Sequence, residues 1–201
     1  MSSFLKQQKP LILASGSLIR KKLLQSIGLE FEVIPSDCDE EAFKASHRSE
    51  NYLDLGYTLA QHKALSVSKR YPNHFVIAAD QLCVIDDILL DKPLNHDIAI
   101  QHLQLLSGKS HQQIACLCIA QGNKILWNYH DIATLTLRDL NVKSIEDYLL
   151  ADKPYQSCGA YQYETLGKWL FEKVDGKEDT ILGLPLLPLI SALTELKAVI
   201  L

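Results

Sequence analysis

Hydrophobic and polar residues follow one another along the chain in short blocks that predict interleaved strands and helices. The fully apolar runs Leu11–Ala14 and Phe75–Ala79 are typical of buried strands. Elsewhere apolar residues recur at helical spacing, and Gly28 and Tyr71-Pro72-Asn73 provide helix stops. The predicted helices begin after the N-cap Ser17 and run over about Tyr57–Arg70, Asn95–Leu106, Val142–Ala151 and Leu184–Val199.

Further strands are predicted from alternation and turn residues. They are expected at Phe31–Ile34, in a hairpin over Leu82–Leu90 that turns at Asp86-Asp87, over Gln112–Gln121 and Lys124–Leu137, and in part of Gly159–Val174. Because strands and helices interleave without strict βαβ repetition, the pattern favours a mixed-sheet α/β protein. The length of 201 residues and the lack of a linker-like segment predict one domain over residues 1–201.

The composition and charge of the chain argue against several classes of protein. The chain is 47% hydrophobic and 22% charged, and its net charge of −4 argues against a nucleic-acid partner. The longest apolar run, Ile114–Ala120, is far shorter than the roughly 20 residues of a membrane span. With no apolar segment for a secretory signal near the N-terminus, a cytoplasmic location and no membrane partner are expected. Five cysteines without a C-x-x-C pair argue against a disulfide framework or a structural zinc site.

The first strand leads into a short segment of small polar residues. Ser15-Gly16-Ser17 joins it to a helix whose first turns carry Arg20, Lys21 and Lys22. Small residues, backbone amides and cationic side chains at the positive end of a helix suit phosphate. The segment matches neither the P-loop nor the G-x-G-x-x-G pattern. Taken alone, it is explained at least as well by a helix cap and a solvated basic face.

A second group of candidate residues is acidic. Asp80 closes the apolar run Phe75–Ala79, which predicts a carboxylate at the carboxyl end of a central strand, with Gln81 pointing to the opposite side. Asp39-Glu40 lies on a loop, and Lys92-Pro93 follows the hairpin. Each pair alone is typical of a surface, but together these residues supply carboxylates for a divalent cation and cations for phosphate oxygens.

The order of these motifs resembles the Maf family of nucleoside triphosphate pyrophosphatases over nearly the whole chain. The resemblance begins with Leu11-Ile12-Leu13-Ala14-Ser15-Gly16-Ser17-Leu18-Ile19-Arg20. It continues through Asp39-Glu40, Leu59-Ala60-Gln61-His62-Lys63-Ala64, Ala79-Asp80-Gln81, Asp91-Lys92-Pro93, Leu106-Ser107-Gly108, Cys158-Gly159-Ala160-Tyr161, Glu164 with Gly167, and Gly183-Leu184-Pro185-Leu186. The resemblance implies a Maf/ITPase-like fold, in which a strongly twisted mixed sheet with flanking helices forms two lobes around a central cleft.

The resemblance also implies a reaction. Members of this family cleave a nucleoside triphosphate between the α- and β-phosphates with a divalent cation, Mg²⁺ or Mn²⁺. By this likeness Asp80 is the catalytic proton acceptor, and Glu40 and Asp80 lie at the metal. The residues matching the phosphate-binding positions are Ser15, Ser17, Arg20, Lys63 and Lys92. A homodimer is expected from the resemblance alone.

The substrate base is predicted from three positions. Gln81 and Glu164 resemble the branch that hydrolyses 7-methyl-GTP, and a carboxylate at Glu164 could bind the cationic methylated base through charge-assisted hydrogen bonds. Ile19 stands where that branch usually has Trp. The alternatives are a dTTP/UTP-type or other modified-nucleotide pyrophosphatase, or a nucleotide-binding regulator that has lost catalysis. His111 is interpreted as an ordinary polar residue and Trp169 as a core or interface aromatic.

Overall fold

The computed structural model describes residues 4–38, 40, 43–44 and 51–201 and contains strands and helices throughout those ranges. The strands are β1 (Lys6–Gln7), β2 (Leu11–Leu13), β3 (Phe31–Val33), β4 (Phe75–Ile85), β5 (Ile88–Leu90), β6 (Ser110–Gln121), β7 (Lys124–Leu137), β8 (Phe171–Asp175) and β9 (Val199–Ile200). The helices are α1 (Leu18–Ser26), α2 (Tyr52–Ser68), α3 (His96–Leu106), α4 (Val142–Asp152), α5 (Glu178–Ile181) and α6 (Leu186–Glu195). Short 3₁₀ turns lie at Cys158–Ala160 and Leu166–Leu170.

The main sheet is mixed. Its strands are ordered β3-β2-β4-β6-β7-β8, with β5 beside β4. Strand β2 is parallel to both β3 and β4, whereas β4 with β5 and β7 with β8 are antiparallel pairs. Helices separate the parallel strands along the chain, as a parallel connection requires. The predicted mixed α/β class is therefore confirmed.

The chain divides into two compact units, and the first comprises Met1–Asp80, Ala115–Asp131 and Gly183–Leu201. Its apolar core includes Leu13 and Ile77, which face each other in the parallel register of β2 and β4. A separate antiparallel pair joins β1 to β9. Burial of these apolar side chains supplies the main stabilisation of such a unit.

The second unit comprises Gln81–Ile114 and Ile132–Leu182. The hairpin between β4 and β5 turns at Asp86 and Asp87, whose φ angles of 48° and 59° are left-handed, as a two-residue turn of this kind requires. The core packs around Tyr161 and Phe171, whose ring centroids are 4.9 Å apart in an edge-to-face arrangement. The predicted Asp86-Asp87 hairpin is therefore confirmed.

Some sequence predictions about individual residues and element ends were wrong. Strand β4 does not end at Ala79 but continues through Asp80 to Ile85, so Asp80 lies within the strand rather than at its end. Helix α2 begins at Tyr52, where the Asn51 side chain caps it by accepting from the Leu53 amide. The terminal helix ends at Glu195, and Val199 belongs to β9 instead.

Two interpretations of single residues also need correction. His111 is 2% exposed and its Nε2 lies 2.8 Å from the Tyr161 hydroxyl, so it belongs to a buried pair. Trp169 is 80% exposed, which excludes a core position, and its interpretation as an interface aromatic stays a prediction. None of the described helices is long and apolar enough to cross a membrane.

Candidate active site

The site begins at the turn between β2 and α1. The amide of Ser17 donates to Ser15 Oγ at 3.2 Å, and the Arg20 amide donates to Ser17 Oγ at 3.4 Å. Ser17 is thus the N-cap of α1, as its sequence position predicts. Both residues are half-buried, and both hydroxyls already accept hydrogen bonds within the turn. They therefore stabilise the start of α1, which is the positive end of the helix dipole.

Arg20 ties this turn to other segments of the first unit. Its Nη1 donates to the carbonyl of Ala79 at 2.8 Å and to Ser15 Oγ at 3.4 Å, and its Nε donates to the carbonyl of Gly183 at 3.0 Å. The planar guanidinium provides several donors in a fixed geometry, which suits it to join several acceptors. Arg20 therefore holds the backbone of β4 immediately before Asp80.

Asp80 lies inside β4 and is 3% exposed. Its Oδ1 accepts a hydrogen bond from Lys63 Nζ at 2.6 Å, a distance typical of a charge-assisted bond. Its Oδ2 is also buried but has no hydrogen-bond partner within the described part of the chain. An unpartnered buried carboxylate oxygen is costly, so this atom identifies a position where a polar ligand would be stabilised.

Lys63 compensates the charge of two carboxylates. Its ammonium lies 2.6 Å from Asp80 Oδ1 and 2.9 Å from Glu40 Oε1, and the residue is 6% exposed. Lys63 belongs to the buried face of α2 together with Leu59, Ala60 and other small or apolar residues. The aliphatic part of the side chain can pack among them while the ammonium reaches the acidic pair.

Cys116 on β6 lies close enough to Asp80 to respond to its charge. Burial, together with the smaller effect of the negative charge of Asp80, raises the pKa of the Cys116 thiol to about 12. The thiol is therefore protonated at neutral pH and is a poor nucleophile.

Two acidic residues of this site, Asp80 and Glu40, could supply oxygen ligands to a divalent cation. Carboxylate oxygens are the ligands that Mg²⁺ and Mn²⁺ prefer, and Asp80 Oδ2 is an oxygen without a partner in the described chain. Glu40 is joined to Asp80 through Lys63. Among the described residues no cluster of three or more His, Cys, Asp or Glu side chains could hold a metal. Asp39, the other acidic residue of the predicted loop, lies outside the described residues.

The remaining predicted site residues are distributed over both units. Ile19 is half-buried in the first turn of α1, in the first unit. Gln81 belongs to the second unit, where its Nε2 donates to the carbonyl of Ile181 at 2.5 Å. Lys92 and Glu164 are exposed residues of that same unit. The structure thus brings Ser15, Arg20, Lys63, Glu40 and Asp80 into one connected set.

One anchor of this set was missed by the sequence analysis. The segment at Gly183 is predicted to start a helix, but its carbonyl accepts from Arg20 and its φ is 82°. The left-handed backbone favours glycine at this point. The signal available in the sequence was the Gly183-Leu184-Pro185 corner, which indicates a turn but not its distant partner.

Comparisons with known proteins place this arrangement in context. The family model described as Maf-like protein matches residues 10–196. A nucleoside triphosphate pyrophosphatase of Legionella pneumophila (strain Paris) is 64% identical over 199 residues, covering 99% of each chain. A nucleoside triphosphate pyrophosphatase of Nitrobacter hamburgensis is 43% identical over 94% of each chain. The solved structure of a HAM1 protein from Coxiella burnetii has a TM-score of 0.39 and 14% identity over 65% of this chain and 73% of that chain, a likeness too weak to inform function.

Proposed function

Because the chain belongs to the Maf family and is a nucleoside triphosphate pyrophosphatase, a hydrolase acting on acid anhydrides, we propose that it converts 7-methyl-GTP to 7-methyl-GMP and pyrophosphate. The observation that carries the chemistry is the buried carboxylate of Asp80. One of its oxygens is bound by Lys63, and the other has no partner within the described chain.

The unpartnered oxygen suits a general base. In the proposed reaction Asp80 Oδ2 accepts a hydrogen bond from a water molecule and takes its proton as the water oxygen bonds to phosphorus. The bond between that phosphorus and the oxygen bridging the α- and β-phosphates breaks, and the bridging oxygen leaves with its electron pair. A carboxylate within hydrogen-bond reach of the attacking water is the geometry that general-base catalysis needs. Lys63 keeps the carboxylate oriented by holding Oδ1.

A divalent cation fits the same residues, and Asp80 and Glu40 would hold it. When bound, such a cation supplies Lewis acidity toward phosphoryl oxygens. Lys63 lies between the two carboxylates, so one ammonium already offsets part of their negative charge. The acidic pair would therefore remain compatible with a polyanionic substrate nearby.

The phosphate chain requires positive groups. The N-terminus of α1 offers backbone amides and the positive end of the helix dipole, and Arg20 adds a permanent charge beside it. Ser15 and Ser17 shape this turn through their hydroxyls. Lys92 is exposed and has no hydrogen bond or ion pair within the described chain, so its ammonium is available for a phosphate oxygen.

The opposite charges of the methylated base and of Glu164 support a preference for that base. Methylation at N7 makes guanine cationic, and the exposed carboxylate of Glu164 can offer it charge-assisted hydrogen bonds. Gln81 adds an amide whose nitrogen is already bound to the Ile181 carbonyl, which leaves its oxygen as an acceptor. Ile19 provides apolar contact only, so discrimination would depend on Glu164 more than on stacking.

A pyrophosphate-release assay tests the proposal. The purified protein is supplied with Mg²⁺ or Mn²⁺ and with GTP, 7-methyl-GTP, UTP or dTTP in separate reactions. GTP is the matched control because it differs from 7-methyl-GTP only in the methyl group and its charge. The proposal expects the highest kcat/KM with 7-methyl-GTP. Faster cleavage of UTP or dTTP would contradict the base preference, and nucleotide binding without pyrophosphate release would contradict hydrolysis.

A further inference from the structure

The segment that carries Lys92 has a restricted backbone. Lys92 precedes Pro93, which confines it to extended conformations, and Pro93 itself is buried while Lys92 is exposed. Leu94 then adopts a left-handed conformation with φ of 61°, although its side chain is 55% exposed. A non-glycine residue persists in this conformation only where its surroundings impose it.

Tyr155 supplies the main restraint from another part of the second unit. The amide of Leu94 donates to the carbonyl of Tyr155 at 3.0 Å, and the amide of Asn95 donates to the carbonyl of Pro93 at 2.7 Å. The Asn95 side chain in turn caps α3 by accepting from the Ile98 amide at 3.0 Å. The Lys92 segment is thus fixed between a tyrosine backbone on one side and a capped helix on the other.

The side chain of Tyr155 completes this attachment. Its hydroxyl lies 3.0 Å from Nδ1 of His96, the first residue of α3, and 3.4 Å from the carbonyl of Leu149 on α4. The two rings meet edge to face with centroids 6.1 Å apart. One hydroxyl therefore links the start of the helix that follows Lys92 to a second helix of the same unit.

We propose that Tyr155 is a positioning residue for Lys92, which it holds in the orientation that receives a phosphate oxygen of the substrate. This inference rests on the proposed function, in which Lys92 binds the triphosphate. Preorganisation of a cation in this way lowers the entropy lost on binding.

A double-mutant cycle tests the link. The variants Lys92→Ala, Tyr155→Phe and the double variant are assayed for pyrophosphate release with 7-methyl-GTP and with UTP. Tyr155→Phe keeps the carbonyl that accepts from Leu94 and removes the hydroxyl contact to His96, so it should raise KM by up to about fivefold, the value of one hydrogen bond, with a smaller change in kcat. The factor should be the same for both nucleotides because the triphosphate is common to them. In the Lys92→Ala background, Tyr155→Phe should have no further effect on KM.

A matched control is available in the first unit. Tyr57 also bonds a histidine, and both its hydroxyl hydrogen bond, at 2.6 Å to Nδ1, and its ring contact are with His130. The effects of Tyr57→Phe and Lys92→Ala on KM should therefore be additive. Additivity between Tyr155→Phe and Lys92→Ala would overturn the proposal. No effect of Lys92→Ala alone would overturn it too, and would assign the failure to the phosphate-binding role of Lys92.

A second pair of variants does not depend on the tyrosine. Leu94→Gly permits the left-handed backbone without strain but frees the segment, whereas Leu94→Ala removes the side chain and keeps the restriction. Leu94→Gly should raise KM without lowering the thermal midpoint, and Leu94→Ala should leave KM near that of the unmodified protein. Equal KM values for the two variants would contradict a positioning role for this segment.

Discussion

The replacement of Asp80 by asparagine separates the chemistry of the site from its contribution to stability. Asparagine keeps the shape of the side chain and an oxygen that can accept from Lys63, whose Nζ lies 2.6 Å from Asp80 Oδ1. The change replaces a hydrogen bond between two ions by one between the Lys63 ammonium and a neutral amide oxygen, a loss of about 1 kcal/mol. This loss of stability is smaller than the roughly 3–5 kcal/mol expected when one partner of a buried ion pair is removed. Lys63 also keeps its ion pair with Glu40, at 2.9 Å, in the variant.

The catalytic loss should be larger than the loss of stability. General-base catalysis contributes about 10²- to 10⁴-fold, or roughly 3–5 kcal/mol of the barrier. We therefore expect Asp80→Asn to lower kcat at least about a hundredfold while remaining folded and binding nucleotide. Pyrophosphate release measures the rate, urea unfolding measures the stability, and calorimetric titration with substrate measures binding.

A control variant removes a different aspartate. Asp87 lies in the exposed β4–β5 turn with φ of 59°, a conformation that asparagine also tolerates. Asp87→Asn should keep kcat within about twofold, because surface substitutions rarely exceed about 0.5 kcal/mol. If Asp80→Asn also retained kcat within that range, Asp80 could not be the base, and the proposed mechanism would be refuted.

Other measurable consequences follow from charge and packing. Glu164→Gln should reduce the preference for 7-methyl-GTP over GTP about tenfold, because the cationic base then meets a neutral amide instead of a carboxylate; an unchanged ratio in the substrate panel would count against this readout. Gly159→Ala should destabilise the protein by about 2–4 kcal/mol in urea unfolding, since its φ is 76° and the new Cβ would lie 2.8 Å from Cys83 Sγ. Gly108→Ala, with φ of 68° and no atom within 4 Å, should cost only about 1 kcal/mol, and equal losses would refute the packing argument. Burial lowers the pKa of His111 from its usual 6.5 to about 4, so the unfolded chain binds the proton more readily. Stability should therefore fall by about 3 kcal/mol more in the unmodified protein than in His111→Gln as pH decreases from 6.5 to 4; parallel pH profiles would contradict this.

Local patterns predicted much of the fold. Ser17 is the cap that its position before an amphipathic helix indicates, and the Asp86-Asp87 hairpin forms where the sequence places it. These elements depend on residues close together in the chain. Their backbone conformations are determined by nearby side chains, so a single sequence contains the necessary signal.

The errors arise from contacts between distant residues. Asp80 interrupts an apolar run and so predicts the end of a strand, but Lys63 compensates its charge and β4 continues. Likewise His111 is polar in the sequence, yet the Tyr161 hydroxyl 2.8 Å away allows it to be buried. The two-residue strands β1 and β9 have too few residues for any periodic pattern.

The candidate site was predicted only in part. The sequence motifs indicated which acidic residues to expect at a metal and which basic residues to expect at a phosphate. Of these, Glu40, Lys63 and Asp80 do lie in contact. The sequence did not indicate that Lys63 would bind both carboxylates, and its expected phosphate contact stays a prediction. The anchoring of Arg20 on the Ala79 and Gly183 carbonyls also depends on tertiary structure.

The passage of β4 through consecutive residues Asp80 and Gln81 has an evolutionary consequence. Neighbours in an extended strand project to opposite sides, and here one contacts Lys63 while the other contacts the Ile181 carbonyl. A mutation at position 81 can therefore be accepted without breaking the ion pair at position 80. Related sequences could therefore differ at position 81, the proposed specificity residue, and still keep the proposed general base one peptide bond away.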